Sequence, residues 1–317
     1  MSQRTLRTLL VCCVWAVSAA PTLSQTCLPY DPDPRKEPYE YFSDADLTQA
    51  DALVVRKDWL VPGLDGIRMP VVPWMFFQPP TNPPTSVCSD YDYFGQPTPN
   101  PQTGPTGALG SGALVGADLI LTAGHLFDPP DGCENISFIF GYGNFTPDQW
   151  QLTCDPLDPH DCWVTVPAAD VYSCVDAHVV HNAHADWAVA TLDREVEGRT
   201  PLAILREPPS PSAGSDVTIV GHPNRIPMKV EHVEVTTQCT SVTCSTFGTT
   251  GHVLKGNSGS MLVDNVTRKV IGVVVGGGGP LTVGCAPFDD CKRENFTVPG
   301  SASSTPAWLA AAYIPEP

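Results

Sequence analysis

Apolar residues in this chain fall into short runs, Val71–Phe77, Ala113–Val115, Leu119–Thr122, Trp187–Leu192, Val217–Val220, Val230–Val235 and Val270–Val275, and almost nowhere at helical spacing. Runs this short, rich in β-branched residues and bounded by turn formers, specify strands. Gly116-Ala117-Asp118 separates two runs as a hairpin turn does, and Asn265 to Lys269 does the same after Met261 to Val263. The 34 prolines work against long helices, being roughly twice the usual ~5%. Helix signals occur twice: a short stretch near Asp44 to Val54, and the C-terminus, where Thr305 can cap and Pro306 can take the first helical position ahead of Ala307 to Tyr313. The expected class is all-β, built from closed antiparallel barrels with a short C-terminal helix. At ~150 residues per domain the 317 residues suffice for about two packing units.

The ends and the charge narrow the setting. Arg4 and Arg7 precede an apolar run, Leu9 to Ala16, that closes on Ser18, Ala19 and Ala20, the pattern of a secretory signal peptide over residues 1–20. Residues 21–65 are acidic and polar and read as a propeptide or N-terminal arm; 66–317 reads as the folded unit, with Gln78 to Gly107 a long surface loop. A net charge of -17 argues against nucleic acid and anionic membranes as partners. No later segment supplies the ~18 apolar residues of a membrane span, so the mature chain is expected to be soluble and secreted. Cys12 and Cys13 leave with the signal. The ten that remain read as five disulfides, with Cys154–Cys162, Cys239–Cys244 and Cys285–Cys291 as candidate local pairs. Sequons at Asn135, Asn144, Asn265 and Asn295 mark candidate glycosylation loops.

Four segments carry chemistry: Leu119-Ile-Leu-Thr-Ala-Gly-His125, Asp186-Trp-Ala-Val-Ala-Thr-Leu192, Lys255-Gly-Asn-Ser-Gly-Ser260 and Val270-Ile-Gly-Val-Val-Val-Gly-Gly-Gly-Gly279. A serine hydroxyl is a weak nucleophile and needs a base, a role that suits a neutral imidazole. The imidazole needs a carboxylate to hold its tautomer and stabilise its cation. His125, Asp186 and Ser258 are the candidates. Together the segments resemble the histidine, aspartate and serine stretches of the trypsin/chymotrypsin-like serine peptidases, in that family's chain order. The G-N-S-G-S form is most similar to the glutamyl-endopeptidase-like branch. The resemblance covers residues 66–317.

The resemblance implies two six-stranded antiparallel β-barrels, the first about 66–192 with His125 and Asp186, the second about 200–317 with Ser258. It further implies a secreted, monomeric serine endopeptidase that acts on peptide or protein substrates through an acyl-enzyme, with no cofactor and no metal. Gly256 and Ser258 would supply the oxyanion-hole amides. His252, Val274 and Val275 would flank the specificity pocket, and Gly276 and Gly277 would lie along the substrate-pairing edge.

Several positions depart from that pattern. Asn257 stands where trypsin-type zymogens carry the Asp that pairs with a freed N-terminus, so an oxyanion hole ordered without such a pair is expected. No acidic residue marks a pocket for Lys or Arg. Valine replaces the wall histidine of the glutamate-cleaving branch, and also the serine that often supports the catalytic aspartate. His252 reads either as a partner for an acidic side chain or as a loop residue. His178, His181 and His184 recur at three-residue intervals, but without helical amphipathicity they do not make a metal site. Two rival readings follow: a protease homologue that kept the barrels and lost turnover, against which the presence of all three side chains speaks, and a metal-binding protein.

Overall fold

The apolar runs that fall among the described residues are strands, and they close into two barrels. The computed structural model describes residues 45–70, 108–142, 152–154, 162–223, 228–253, 256–278, 281–283, 292–294 and 300–316. The expected signal segment at residues 1–20, the run at Val71–Phe77 and the expected loop from Gln78 to Gly107 lie outside them. The first barrel comprises β1 (Asp51–Arg56), β2 (Ala108–Gly116), β3 (Leu119–Thr122), β4 (Ile136–Phe140), β5 (Val171–Asn182) and β6 (Ala185–Leu192). The second comprises β7 (Asp216–Gly221), β8 (Lys229–Thr237), β9 (Phe247–Thr250), β10 (Met261–Asp264), β11 (Val270–Gly278) and β12 (Ser301–Pro306). Each closes in the same neighbour order, first, second, third, sixth, fifth, fourth, and every pairing is antiparallel. The two expected hairpin turns are both present, joining β2 to β3 and β10 to β11.

The first barrel does not begin near residue 66. Its opening strand is Asp51–Arg56, which pairs with both β2 and β4, so part of the expected N-terminal arm belongs to the barrel. The helix expected near Asp44 to Val54 shrinks to Ala45–Thr48. The physical reason is burial on both faces of β1: Ala52 and Val54 enter the main core, while Leu53 and Val55 pack outside it with Met69, Ile139, Val164 and Val166. A strand covered on both sides shows no alternation, and its apolar run mimics a helix. The C-terminal helix is a 3₁₀ helix, Ala307–Tyr313, and Thr305 does not cap it. Thr305 and Pro306 instead complete β12, where Thr305 faces Val273 of β11.

Among the described residues two larger cores accompany the cluster outside β1. Alternation on β7 and β10 sends Val217, Ile219 and Leu262 into the second barrel, while Val220, Met261 and Val263 join the larger core that fuses the two barrels. Among the described residues Cys133 is bonded to Cys174 and Cys239 to Cys244. The second pair was expected locally; the first links a turn ahead of β4 to β5. Cys154 and Cys162 stand directly opposite each other on paired strands. Cys27, Cys88, Cys285 and Cys291 lie outside the described residues.

Candidate active site

β3 ends at Thr122 and a short 3₁₀ turn, Gly124–Phe127, follows it, which puts His125 at the mouth of the first barrel. Gly124 is required there: a Cβ would lie 2.4 Å from the Val180 carbonyl oxygen and 2.8 Å from that of Trp187. Asp186 opens β6 across the sheet from His181. Ser258 lies in the turn before β10 of the second barrel. At Gly259 φ is +82° and a Cβ would sit 2.1 Å from both the Ser111 carbonyl oxygen and Thr122 Oγ1, so this turn accepts only glycine.

The three side chains converge. His125 Nδ1 lies 2.7 Å from Asp186 Oδ2, and the His125 amide donates to Asp186 Oδ1 at 2.9 Å. His125 Nε2 is 2.8 Å from Ser258 Oγ. The ionised carboxylate only accepts, so the neutral ring carries its proton on Nδ1, and Nε2 is left to accept from the serine hydroxyl. Burial pushes the Asp186 carboxyl up, but hydrogen bonds from the His125 ring and amide, with the nearby charge of His125 and His181, outweigh it and hold the group below its usual range. Asp186 is thereby kept ionised where it can stabilise an imidazolium.

The turn that carries Ser258 is closed internally. Asn257 is buried; its carbonyl accepts from the Ser260 amide at 2.9 Å and its Oδ1 from Ser260 Oγ at 3.0 Å. Its side chain is thus engaged inside the turn. Gly259 donates to the Val274 carbonyl at 2.7 Å. No backbone acceptor among the described residues takes the amides of Gly256 or Ser258. Val274 is buried in the second-barrel core and reaches the site through its backbone. Val275 is half-buried, and Gly276 and Gly277 are exposed on β11, with open space beside Gly276.

His252 lies in the loop that follows β9, as one of its two readings had it, and is buried there. Its Nδ1 is 2.7 Å from Glu231 Oε1, and its amide donates to Glu231 Oε2 at 2.9 Å. The other histidines are dispersed. His178 stacks on Tyr313 with ring centroids 3.8 Å apart, His181 pairs with Asp128 at 2.8 Å, and His184 is exposed. Among the described residues no cluster of His, Cys, Asp or Glu is arranged to hold a metal ion.

Residues that motif reading passed over complete the surroundings. Ser111 and Thr122 are buried beside the turn that carries Ser258. Asp51 and His222 form a pair 2.9 Å apart, fully buried between the barrels, where burial raises the Asp51 carboxyl against the opposing pull of His222. A serine or aspartate within an apolar strand leaves no signal that separates it from an edge residue; only a strand order that places it at the interface reveals it.

No curated protein matches the chain. Solved structures similar to it include human heparin binding protein, at TM-score 0.42 and 18% identity, covering 66% of this chain and 88% of that one. Another is the Vibrio cholerae VesB protease, at TM-score 0.43 and 12% identity, covering 84% of this chain and 63% of that one. The trypsin-like peptidase domain matches residues 110–273, just over half of the sequence and a span that holds all three converging side chains. The chain belongs to the trypsin-like peptidases.

Proposed function

We propose that this protein is a secreted serine endopeptidase whose nucleophile is Ser258, whose general base and acid is His125, and whose orienting carboxylate is Asp186. One observation carries the reading: an unbroken hydrogen-bonded path, 2.7 Å from Asp186 to His125 and 2.8 Å from His125 to Ser258, assembled from two barrels. Ser258 Oγ attacks the peptide carbonyl as His125 Nε2 takes its proton. The tetrahedral oxyanion is received by the amides of Gly256 and Ser258, each such donor being worth ~2.7–4 kcal/mol of barrier. His125 then protonates the leaving amine and an ester to Ser258 remains. Water, deprotonated by His125, attacks that ester, releases the acid and restores the serine. The chemistry uses only these side chains and water.

An extended substrate would lie against the exposed Gly276–Gly278 end of β11, where missing side chains let a peptide backbone approach. His252 would sit under the side chain to be recognised, with the Glu231 carboxylate already engaged by its ring and amide. Engagement of the Asn257 amide with Ser260 supports a turn that is ordered without a freed N-terminal ammonium.

Fluorophosphonate labelling tests the reading. The secreted chain should be modified at Ser258, with labelling lost in Ser258→Ala and sharply reduced in His125→Ala. A folded chain that takes no label would instead be a binding protein built on peptidase barrels. Peptide-library profiling checks the pocket, and strong cleavage after Lys or Arg would contradict it.

A further inference from the structure

The hydrogen bonds of the nucleophile turn lead to a residue on the opposite barrel. Ser111 of β2 is fully buried, and its hydroxyl donates to the Gly256 carbonyl at 2.9 Å and accepts from the His222 amide at 3.0 Å. Its own amide donates to the Ser258 carbonyl at 2.7 Å, and its carbonyl accepts from Thr122 Oγ1 at 2.6 Å. We propose that Ser111 is a positioning residue: it fixes the peptide planes on either side of the one that presents the Ser258 amide, and so holds the oxyanion-binding conformation. The inference rests on the peptidase reading above.

In a trans peptide the N–H points opposite the C=O, so pinning a carbonyl aims the amide of the following residue. Three consecutive carbonyls are pinned: Gly256 by the Ser111 hydroxyl, Asn257 by the Ser260 amide, and Ser258 by the Ser111 amide. The middle bond aims the Ser258 N–H. The outer two, both from Ser111, keep the neighbouring planes from rotating, and the Gly259 N–H that results is taken up by Val274 at 2.7 Å. The Ser111 hydroxyl bonds only groups of the second barrel, on two different loops.

Ser111 is itself held from the histidine side. Thr122, which bonds its carbonyl, ends the strand that delivers His125. One buried chain of hydrogen bonds therefore runs from Thr122, three residues before His125, through Ser111 to the carbonyls of Gly256 and Ser258. Inter-barrel register and nucleophile conformation are set by the same contact. Space around it is tight: a Cβ on Gly110 would lie 2.4 Å from the Ser258 carbonyl oxygen, and one on Gly221 would lie 3.0 Å from Ser111 Oγ.

The test is Ser111→Ala, read by kcat, KM and a peptide boronate that mimics the tetrahedral species. The expected result is a kcat about 10–100-fold lower with KM within about twofold, less than the ~10²–10³-fold that follows deletion of an oxyanion donor itself. Boronate affinity should fall by the same factor as kcat, while affinity for the cleaved peptide product holds. Thr218→Val, which removes a buried hydroxyl bonded to Asn265 at 2.6 Å elsewhere in the second barrel, is the stability control and should leave kcat unchanged. A kcat for Ser111→Ala within twofold of the parent, or an equal loss of kcat in Thr218→Val, would overturn the proposal. Should Ser111→Ala fail to fold, Ser111→Cys keeps the size with a weaker donor and should give an intermediate loss of kcat; a parental kcat there overturns it. If the parent takes no fluorophosphonate label, the peptidase reading fails separately. The crystal structure of Ser111→Ala then decides, and unchanged peptide planes at 256–258 count against positioning.

Discussion

The molecule builds the same histidine–carboxylate pair twice, once in each barrel, and the two have different fates. In the first barrel, His125 holds Asp186 through ring Nδ1 at 2.7 Å and its own amide at 2.9 Å. In the second, His252 holds Glu231 through the same two atoms at the same two distances. Local geometry is therefore not what makes a base. The first imidazole is 2.8 Å from a serine hydroxyl, whereas His252 is only 8% exposed. The difference teaches that a histidine–carboxylate pair is a way of fixing a ring, and that what stands beyond the ring decides what chemistry is open to it.

Substitution separates the two pairs most widely at the histidines. His125→Ala should lower kcat by about 10⁶-fold, the scale on which an entire serine triad fails when its base is lost. His252→Ala should leave kcat within about an order of magnitude but destabilise the fold by about 3–5 kcal/mol, because it strands a buried carboxylate. Steady-state kinetics beside urea denaturation reads both, and a His252→Ala that stops turnover while staying folded would erase the distinction.

The carboxylates come next. Asp186→Asn should cost about 10⁴-fold in kcat by favouring the wrong imidazole tautomer. Glu231→Gln should leave kcat near the parental value and act on stability. The pH dependence has a definite sign at Asp186, whose carboxyl is held below its ordinary 3.8. Its contribution to stability is complete above that value and is lost as pH falls through the lower, folded-state value. The stability gap between parent and Asp186→Asn should close in that window.

Covalent links sharpen the contrast between barrels. Cys133–Cys174 closes a sequence separation of 41 in the first barrel, and Cys239–Cys244 one of 5 in the second. Loop-closure entropy gives about 4 kcal/mol for the first and about 2 kcal/mol for the second, so the paired Ala variants should unfold in that order. The smallest effect is expected at the rim. Asp128 hydrogen-bonds the His181 ring and raises its titration above the ordinary 6.5. That stabilisation is present below 6.5 and is lost as pH rises through the raised value. In Asp128→Asn the NMR titration midpoint of His181 should fall back toward 6.5, and an unmoved midpoint would remove the ion pair from the account.

Much of this was legible in advance. The apolar runs, the hairpin turns, the order of His125, Asp186 and Ser258, and the local disulfide Cys239–Cys244 all follow from short-range pattern. β12 was not legible, because Ser301-Ala-Ser-Ser-Thr-Pro306 has the composition of a loop and becomes a strand by pairing with β9 and β11. β1 was not legible either, since burial on both faces erased its alternation. His252 could be read as recognition residue or loop filler, and its Glu231 partner, 21 residues away on β8, was invisible to motif reading.

By itself the sequence determined the class of fold and the identity and order of the three candidate residue types. These depend on side-chain period, backbone freedom and intrinsic reactivity, properties that a residue carries with its near neighbours. Tertiary structure alone decided which of two equivalent histidine pairs meets a serine, that Asp51 and His222 are buried together between the barrels, and that Ser111 braces the nucleophile turn. Each joins residues more than a hundred positions apart, or a motif to a partner on another strand. Hydrogen bonds reach only about 3 Å, so until barrel closure and barrel packing fix those distances, nothing in the local order of residues can say which groups will touch.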